Sequence, residues 1–267
     1  MMTHIKSHRK SIIIIIITIL AIATIVASYK MFFQKEIFHE ESREKEIKEE
    51  KKQDNTGIHT VGWLKVQGSN IDLPVIYYGE AFYKDIKKQK YVWTTNYNEK
   101  VINRVTIYGH NILNLSSNPK INIPKTTSFE DLMSFIYPEY IDKNKYIQYS
   151  IDDKNYIYKI FSVRLLKDYK QSALFNKEDL SKKKFKNYLK EINKDNLYKT
   201  SVKVNEDDKI ITLVTCTRFF GADKRNATII VDGKLVKPNE KLTNYTVEQT
   251  DNYKKIKKYM KGDEVDV

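Results

Sequence analysis

Cys216 is the only thiol in this chain of 267 residues. It ends the apolar run Ile210 to Thr215 and is followed by a polar, flexible stretch, Thr217 to Lys224. A single cysteine excludes an intramolecular disulfide framework and any multi-thiolate metal site. What remains is a buried, inert side chain or a reactive thiol. A thiol that attacks a carbonyl needs a proton carrier, a cationic neighbour and a donor for the developing oxyanion. Two residues have the right type and placement. His110 follows the apolar run Val105 to Gly109 and opens a loop reaching Pro124. Arg225 stands just before the next apolar run, Ala227 to Val231. If the runs on either side of residues 217–225 are antiparallel neighbours, Cys216 and Arg225 share one end of a sheet. Rigid scaffolds place catalytic groups at strand ends beside loops. Each residue also has a plainer reading: an inert thiol, a histidine satisfied by its own turn, a solvated arginine.

The other candidates thin out on position. Of the five histidines, His4 and His8 precede a long apolar run, and His39 lies in a charged segment. Only His59 and His110 fall where the composition suits a folded core. Arginine is scarce, and Arg218 is a rival to Arg225 for the guanidinium role.

The elements that must position these residues are mostly strands. Short β-branched and aromatic runs separated by turn residues predict strands near 60–67, 71–77, 104–108, 145–150, 156–166, 209–215 and 226–236. The runs ending at Ser150 and starting at Tyr156 flank a hairpin-like turn, Ile151 to Asn155. Ser128, followed by Phe129, Leu132, Met133 and Phe135, predicts a short capped helix, with Asp131 three residues after the cap. Leu180 to Ile192 predicts an amphipathic helix, with Leu180, Phe185, Leu189 and Ile192 near one face. The strand count and spacing favour one mostly-β domain, a barrel decorated by helices. After Pro238 the pattern fades, and residues 239–267 read equally as a docked helix or a mobile tail.

The amino terminus has another composition. Ser11 to Tyr29 contains no charge and includes six consecutive isoleucines. As a helix these residues span about 28 Å, close to the hydrocarbon thickness of a bilayer. Lys6, Arg9 and Lys10 precede the run, so the positive-inside bias puts the amino terminus in the cytoplasm and the remainder outside. The run is longer than a signal-peptide core, which favours an uncleaved single-pass anchor over a cleaved leader. Residues 1–10 are then a basic cytoplasmic tail, 11–29 the transmembrane anchor, 30–56 a Glu- and Lys-rich helical spacer and 57–238 the folded domain that carries the candidate residues. Residues 239–267 form the carboxyl-terminal tail.

The charge balance, 47 basic against 34 acidic residues for a net +13, raises the question of nucleic acid. The basic residues are mainly lysines interleaved with acids, not the arginine forks that read bases and clamp phosphates. Only Lys6, Arg9, Lys10 and Lys30 lie in the first thirty residues, so most of the excess falls on the outer portion. There it would meet lipid headgroups and anionic wall polymers, not DNA.

Taken in order, Val61-Gly62-Trp63-Leu64, Ile71-Asp72-Leu73-Pro74-Val75, Tyr108-Gly109-His110-Asn111, Thr212-Leu213-Val214-Thr215-Cys216 and Arg225 resemble the sortase family over about residues 57–236. The helix before the cysteine strand and the segment Phe129 to Tyr146 resemble its class B branch. The resemblance implies an eight-stranded β-barrel and a cysteine transpeptidase of Gram-positive bacteria. Cys216 would attack the Thr carbonyl of a carboxyl-terminal sorting signal on an exported protein, forming a thioester acyl-enzyme. His110 would protonate the leaving amine, and Arg225 would orient substrate and stabilise the oxyanion. Thr215 and Asn111 would bind substrate. The acceptor would be a peptidoglycan amine, and no metal or organic cofactor is implied. Two other readings stay open: an exported cysteine hydrolase that uses water, and a cationic wall-binding module with an inert Cys216.

Overall fold

A computed structural model describes residues 14–25, 28, 60–77, 92–94, 104–123, 128–151, 154–171, 180–237, 240 and 245–260. The chain forms two units, Met1–Glu50 and Lys51–Val267.

In the first unit, residues 14–25 form helix α1, and their side chains are exposed. The two hydroxyls on it are satisfied internally. Thr18 donates to the Ile14 carbonyl at 2.8 Å, and Thr24 donates to Ala21 at 2.8 Å and to Leu20 at 3.1 Å. No helix among the described residues is long and apolar enough to cross a membrane. Residues 11–13, 26, 27 and 29 of the anchor expected from sequence, and the spacer at 30–56, lie outside the described residues.

The second unit is built on a closed eight-stranded barrel. Its strands are β1 (Thr60–Val66), β2 (Asp72–Tyr77), β3 (Val92–Thr94), β4 (Arg104–Gly109), β5 (Tyr146–Ile151), β6 (Lys154–Leu166), β8 (Ile210–Cys216) and β9 (Thr228–Leu235). Their order around the barrel is β1-β2-β3-β4-β8-β9-β6-β5, and β5 returns to pair with β1. Two seams are parallel, β2 with β3 and β4 with β8. Closure pairs each barrel strand on both sides, so the described barrel strands offer no open edge to another chain. The turn at Asp152 and Asp153 lies outside the described residues, but β5 and β6 pair in register up to Ile151 and Lys154 as a hairpin requires.

The near-continuous apolar run of β8 follows from having both faces covered. Ile211 and Leu213 point into the main core with Leu64, Ile107 and Val231. Ile210 points outward beneath helix α3 (Lys182–Asp195), where it meets Phe185, Tyr188, Leu189 and Ile192. Burying each such side chain contributes about 1.5–3 kcal/mol. The amphipathic helix expected at 180–192 is thus present and docks through its expected face.

Several elements depart from the sequence expectation or settle what it left open. Strand β3 has no counterpart in it; three residues are too few for a period-two pattern to register. The segment after Ser128 is a 3-10 helix, Glu130–Ile136, and Ser128 does not cap it. Its Asp131 carboxylate accepts from the Ile123 and Asn70 backbone N–H groups instead, both at 2.8 Å, so it ties two distant loops to the helix. A short helix α2 (Pro138–Lys143) follows, with proline near its start, where the missing N–H costs nothing. The region after Pro238 resolves as docked structure over residues 245–260. Strand β10 (Val247–Gln249) pairs antiparallel with β7 (Tyr198–Thr200), and helix α4 (Asp251–Met260) buries Tyr253 and Ile256 in the main core. Residues 261–267 lie outside the described residues.

Candidate active site

The parallel seam between β4 and β8 sets the site. Arg104 pairs with Ile210, and the register runs to Tyr108 opposite Val214. One step further, Thr215 Oγ1 donates to the Gly109 carbonyl at 2.8 Å, so the alignment holds past the last ladder pair. The next residues on the two strands are His110 and Cys216. Neighbouring strands lie about 4.8 Å apart, so His110 and Cys216 are backbone neighbours at one barrel end. Thr215 is itself buried, and its hydroxyl fastens this seam.

On the other side of β8, Cys216 pairs with Thr228, and Thr217 N–H donates to the Ala227 carbonyl at 2.9 Å. The chain between them is a run of tight turns in which Lys224 N–H bonds to Gly221 and Arg225 N–H to Asp223. Gly221 has φ +117°, a conformation that side chains rarely adopt. The sequence expectation that Cys216 and Arg225 share a sheet end is therefore met. Cys216 is exposed, so it is not an inert core thiol. Arg225 is also exposed, and its guanidinium has no partner among the described residues. Arg218 is held differently. Its N–H donates to the Leu115 carbonyl at 3.0 Å, joining the loop after the cysteine to the loop after the histidine. Its Nη1 is buried without a hydrogen-bond partner among the described residues.

His110 is fixed through its backbone. Its N–H donates to Ser128 Oγ at 2.8 Å, and its carbonyl accepts from Phe129 N–H at 2.8 Å. This close approach explains Gly109, where an added Cβ would lie 2.5 Å from the Phe129 ring. The imidazole packs against Trp93 of β3, with ring centroids 4.9 Å apart. Burial pushes its pKa below the ordinary 6.5, opposed by the charge of Glu130. Glu130 is fully buried; one carboxylate oxygen accepts from Ser128 N–H at 3.0 Å, and the other has no hydrogen-bond partner among the described residues. A carboxylate held in a low-dielectric setting favours the imidazolium whenever it forms.

Asn111 turns into its own loop. Its amide donates to the Asn114 carbonyl and accepts from Asn114 N–H, both at 3.0 Å, and it is buried. Asn114 in turn donates to the Lys120 and Glu130 carbonyls. This ladder of asparagines shapes the loop that begins at His110.

Trp93, Ser128 and Glu130 escape the sequence reading as site residues. Trp93 sits in the aromatic and β-branched run Tyr91 to Thr95, a strand signal that points to it. Ser128 reads in sequence as a helix cap, a role its spacing to Asp131 imitates.

An exposed thiol and a half-buried imidazole on neighbouring strand ends, with an exposed guanidinium across a short loop, form a constellation suited to acyl transfer through a thioester. Comparison with known proteins agrees. A sortase domain model matches residues 64–236. Sortase B of Listeria monocytogenes is 28% identical over 188 residues, which cover 66% of this chain and 69% of that protein. Sortase B of Staphylococcus aureus is 24% identical over 189 residues, covering 66% and 70%. Among solved structures, Clostridium perfringens sortase B has a TM-score of 0.56 at 26% identity, covering 71% of this chain and 100% of that one. Barrel order, motif order and these likenesses converge: the chain belongs to the sortase family, in its class B branch, and is a cysteine transpeptidase.

Proposed function

We propose that residues 11–29 anchor this chain in the cell membrane with the amino terminus in the cytoplasm. The barrel then works outside, joining exported proteins to the wall. Cys216 attacks the Thr carbonyl of a carboxyl-terminal sorting signal. The carbon–nitrogen bond breaks, His110 supplies the proton to the leaving amine, and a thioester remains on the sulfur. A peptidoglycan amine then attacks the thioester, gives up a proton and releases the thiol. Arg225 faces the carbonyl oxygen and stabilises its charge in both tetrahedral intermediates. Residues 1–10, 30–56 and 57–238 are the cytoplasmic tail, spacer and catalytic domain of this arrangement.

The observation that carries the mechanism is the β4–β8 register, fastened by the Thr215–Gly109 hydrogen bond, which makes His110 and Cys216 neighbours. Staphylococcus aureus sortase B, 18% identical and of the same fold, has been solved as a substrate complex. A sortase B at the same 18% identity has been solved in complex with triglycine. A sorting peptide and an amine acceptor are the matching substrate classes here. Apolar, outward-facing α1 with its internally satisfied hydroxyls supports the anchor.

The test uses the full chain in detergent with fluorogenic sorting-signal peptides, with and without an amine acceptor. Amine-linked product is expected, together with a loss of at least about a thousandfold in turnover for Cys216→Ala. Arg225→Ala is expected to be severe and Arg218→Ala mild, because Arg225 is exposed beside the cysteine strand whereas Arg218 Nη1 is buried. Release of product by water alone, indifferent to amine, would replace the transpeptidase with a hydrolase. The reverse ranking of the two arginines would reassign the oxyanion donor.

A further inference from the structure

Helix α4 lies beyond the sortase domain match, which ends at residue 236, yet it reaches the loop that follows the cysteine. Tyr259, near its end, stacks on Phe219 with centroids 5.4 Å apart and planes 28° apart. It also meets Phe220 edge-on at 5.6 Å, and the two phenylalanines form a T-shaped pair at 5.2 Å. Phe219 and Phe220 are the third and fourth residues after Cys216. Both are buried, whereas Ala222 to Arg225, the next part of the loop, is exposed.

The helix is anchored at its base and not merely laid on the surface. Thr250 Oγ1 donates to the Asn196 carbonyl at 2.7 Å. Asn252 donates to the Lys194 carbonyl at 2.8 Å, at the end of α3. Tyr253 packs on Tyr198 with centroids 5.5 Å apart, and β10 pairs with β7 just before the helix. The far end, carrying Tyr259, is thereby held at a fixed place against the loop. A loop of tight turns that has to present an exposed arginine gains rigidity from such an aromatic clamp.

We propose that α4 is a brace for loop 217–227 and that Tyr259 is a positioning residue for the acyl-transfer reaction. It acts through the Phe219–Phe220 pair and fixes where Arg225 stands relative to Cys216. This rests on the oxyanion role given to Arg225 above. The ring of Tyr259 does the positioning by stacking, so phenylalanine can replace it. The outward side of the helix carries Lys254, Lys255, Lys257 and Lys258, which take no part in the clamp.

Four full-length variants in detergent test the proposal: Tyr259→Ala, Tyr259→Phe, Arg225→Ala and the double variant Tyr259→Ala/Arg225→Ala. Amide hydrogen exchange over residues 217–227 reads the brace without reference to activity. Tyr259→Ala is expected to speed that exchange, leave the barrel strands protected and lower kcat about tenfold with little change in KM. Tyr259→Phe restores both readouts. In the Arg225→Ala background, Tyr259→Ala is expected to cost nothing more, because the two act through one contact. Unchanged exchange in Tyr259→Ala overturns the brace whatever the mechanism. Faster exchange with full activity, or losses that multiply in the double variant, overturns the positioning role. Full activity in Arg225→Ala alone removes the oxyanion assignment and, with it, this link to Arg225. That failure is seen before Tyr259 is touched.

Discussion

His110 combines two demands that pull apart. In the proton-donor role proposed for it, the ring must carry charge, yet burial favours its neutral form, and Glu130 pulls partly back. A histidine whose folded pKa is depressed binds fewer protons than the unfolded chain just below the ordinary value. Its contribution to stability is therefore complete above about pH 6.5 and is lost as pH falls through the lowered folded value. Removing the opposing carboxylate with Glu130→Gln should move the His110 titration further down, as read from its ring proton shifts by NMR. An upward movement would mean that Glu130 does not act on the imidazole. The residue types of this site are legible in the sequence because chemistry limits them: one thiol, one histidine after a strand, one arginine before the next. Trp93 and Glu130 are not: a strand signal covers Trp93, but nothing in the spacing of either residue ties it to His110. Asn111 and Thr215 stand beside the reacting residues in sequence, but their side chains fasten loop and seam.

Between strands and helix α3 lies a polar layer that does no chemistry. Arg164 on β6 pairs with Asp232 on β9 at 3.0 Å, and Thr212 on β8 donates to the same carboxylate at 2.8 Å. Tyr188 of α3 accepts from the Arg164 guanidinium at 2.8 Å, and the Arg104 guanidinium sits 4.3 Å from the centre of its ring. Arg164 and Asp232 are fully buried. Breaking such a pair leaves a charge in low dielectric, so Asp232→Asn should lower the unfolding free energy by about 3–5 kcal/mol. Urea denaturation monitored by tryptophan fluorescence checks this; a loss under about 1 kcal/mol would show that the pair is not desolvated as its burial requires. Seven of the eight barrel strands are legible from β-branched and aromatic runs. The eighth, β3, is short: its aromatic and β-branched run, Tyr91 to Thr95, yields only three ladder residues, too few for a period-two pattern to register. The 3-10 helix after Ser128 departs from the capped helix expected there for a related reason. Serine followed by an acid three residues on is a local rule, and here both side chains answer to distant loops. Helix α4 is ambiguous in sequence because its apolar face, Tyr253 and Ile256 with Tyr259 and Met260 partly buried, is narrow and surrounded by lysine.

At the scale of the molecule, the chain reads as two solutions to two solvents. Among the described residues the barrel unit buries most of its apolar side chains, leaving Ile112, Leu113 and Ile121 of the loop after His110 exposed, whereas α1 exposes its own throughout. Deleting residues 1–29 should leave a barrel that remains in the aqueous phase, whereas the full chain sediments with membranes and resists high-salt extraction. Release of the full chain by salt alone would replace the anchor with surface attraction through the lysines. In the proposed arrangement the basic excess, at first sight a hint of nucleic acid, would face anionic lipid and wall. The β4–β8 seam has one more consequence, in time. The residues it brings together are separated by 106 positions, and β5, β6, α3 and β7 are all made in between. Pairing across such a distance comes late in folding. Until it happens, the thiol and the imidazole belong to different parts of an open chain. On the proposed mechanism an unfinished molecule has no acyl-transfer activity, and catalysis begins only when the barrel closes.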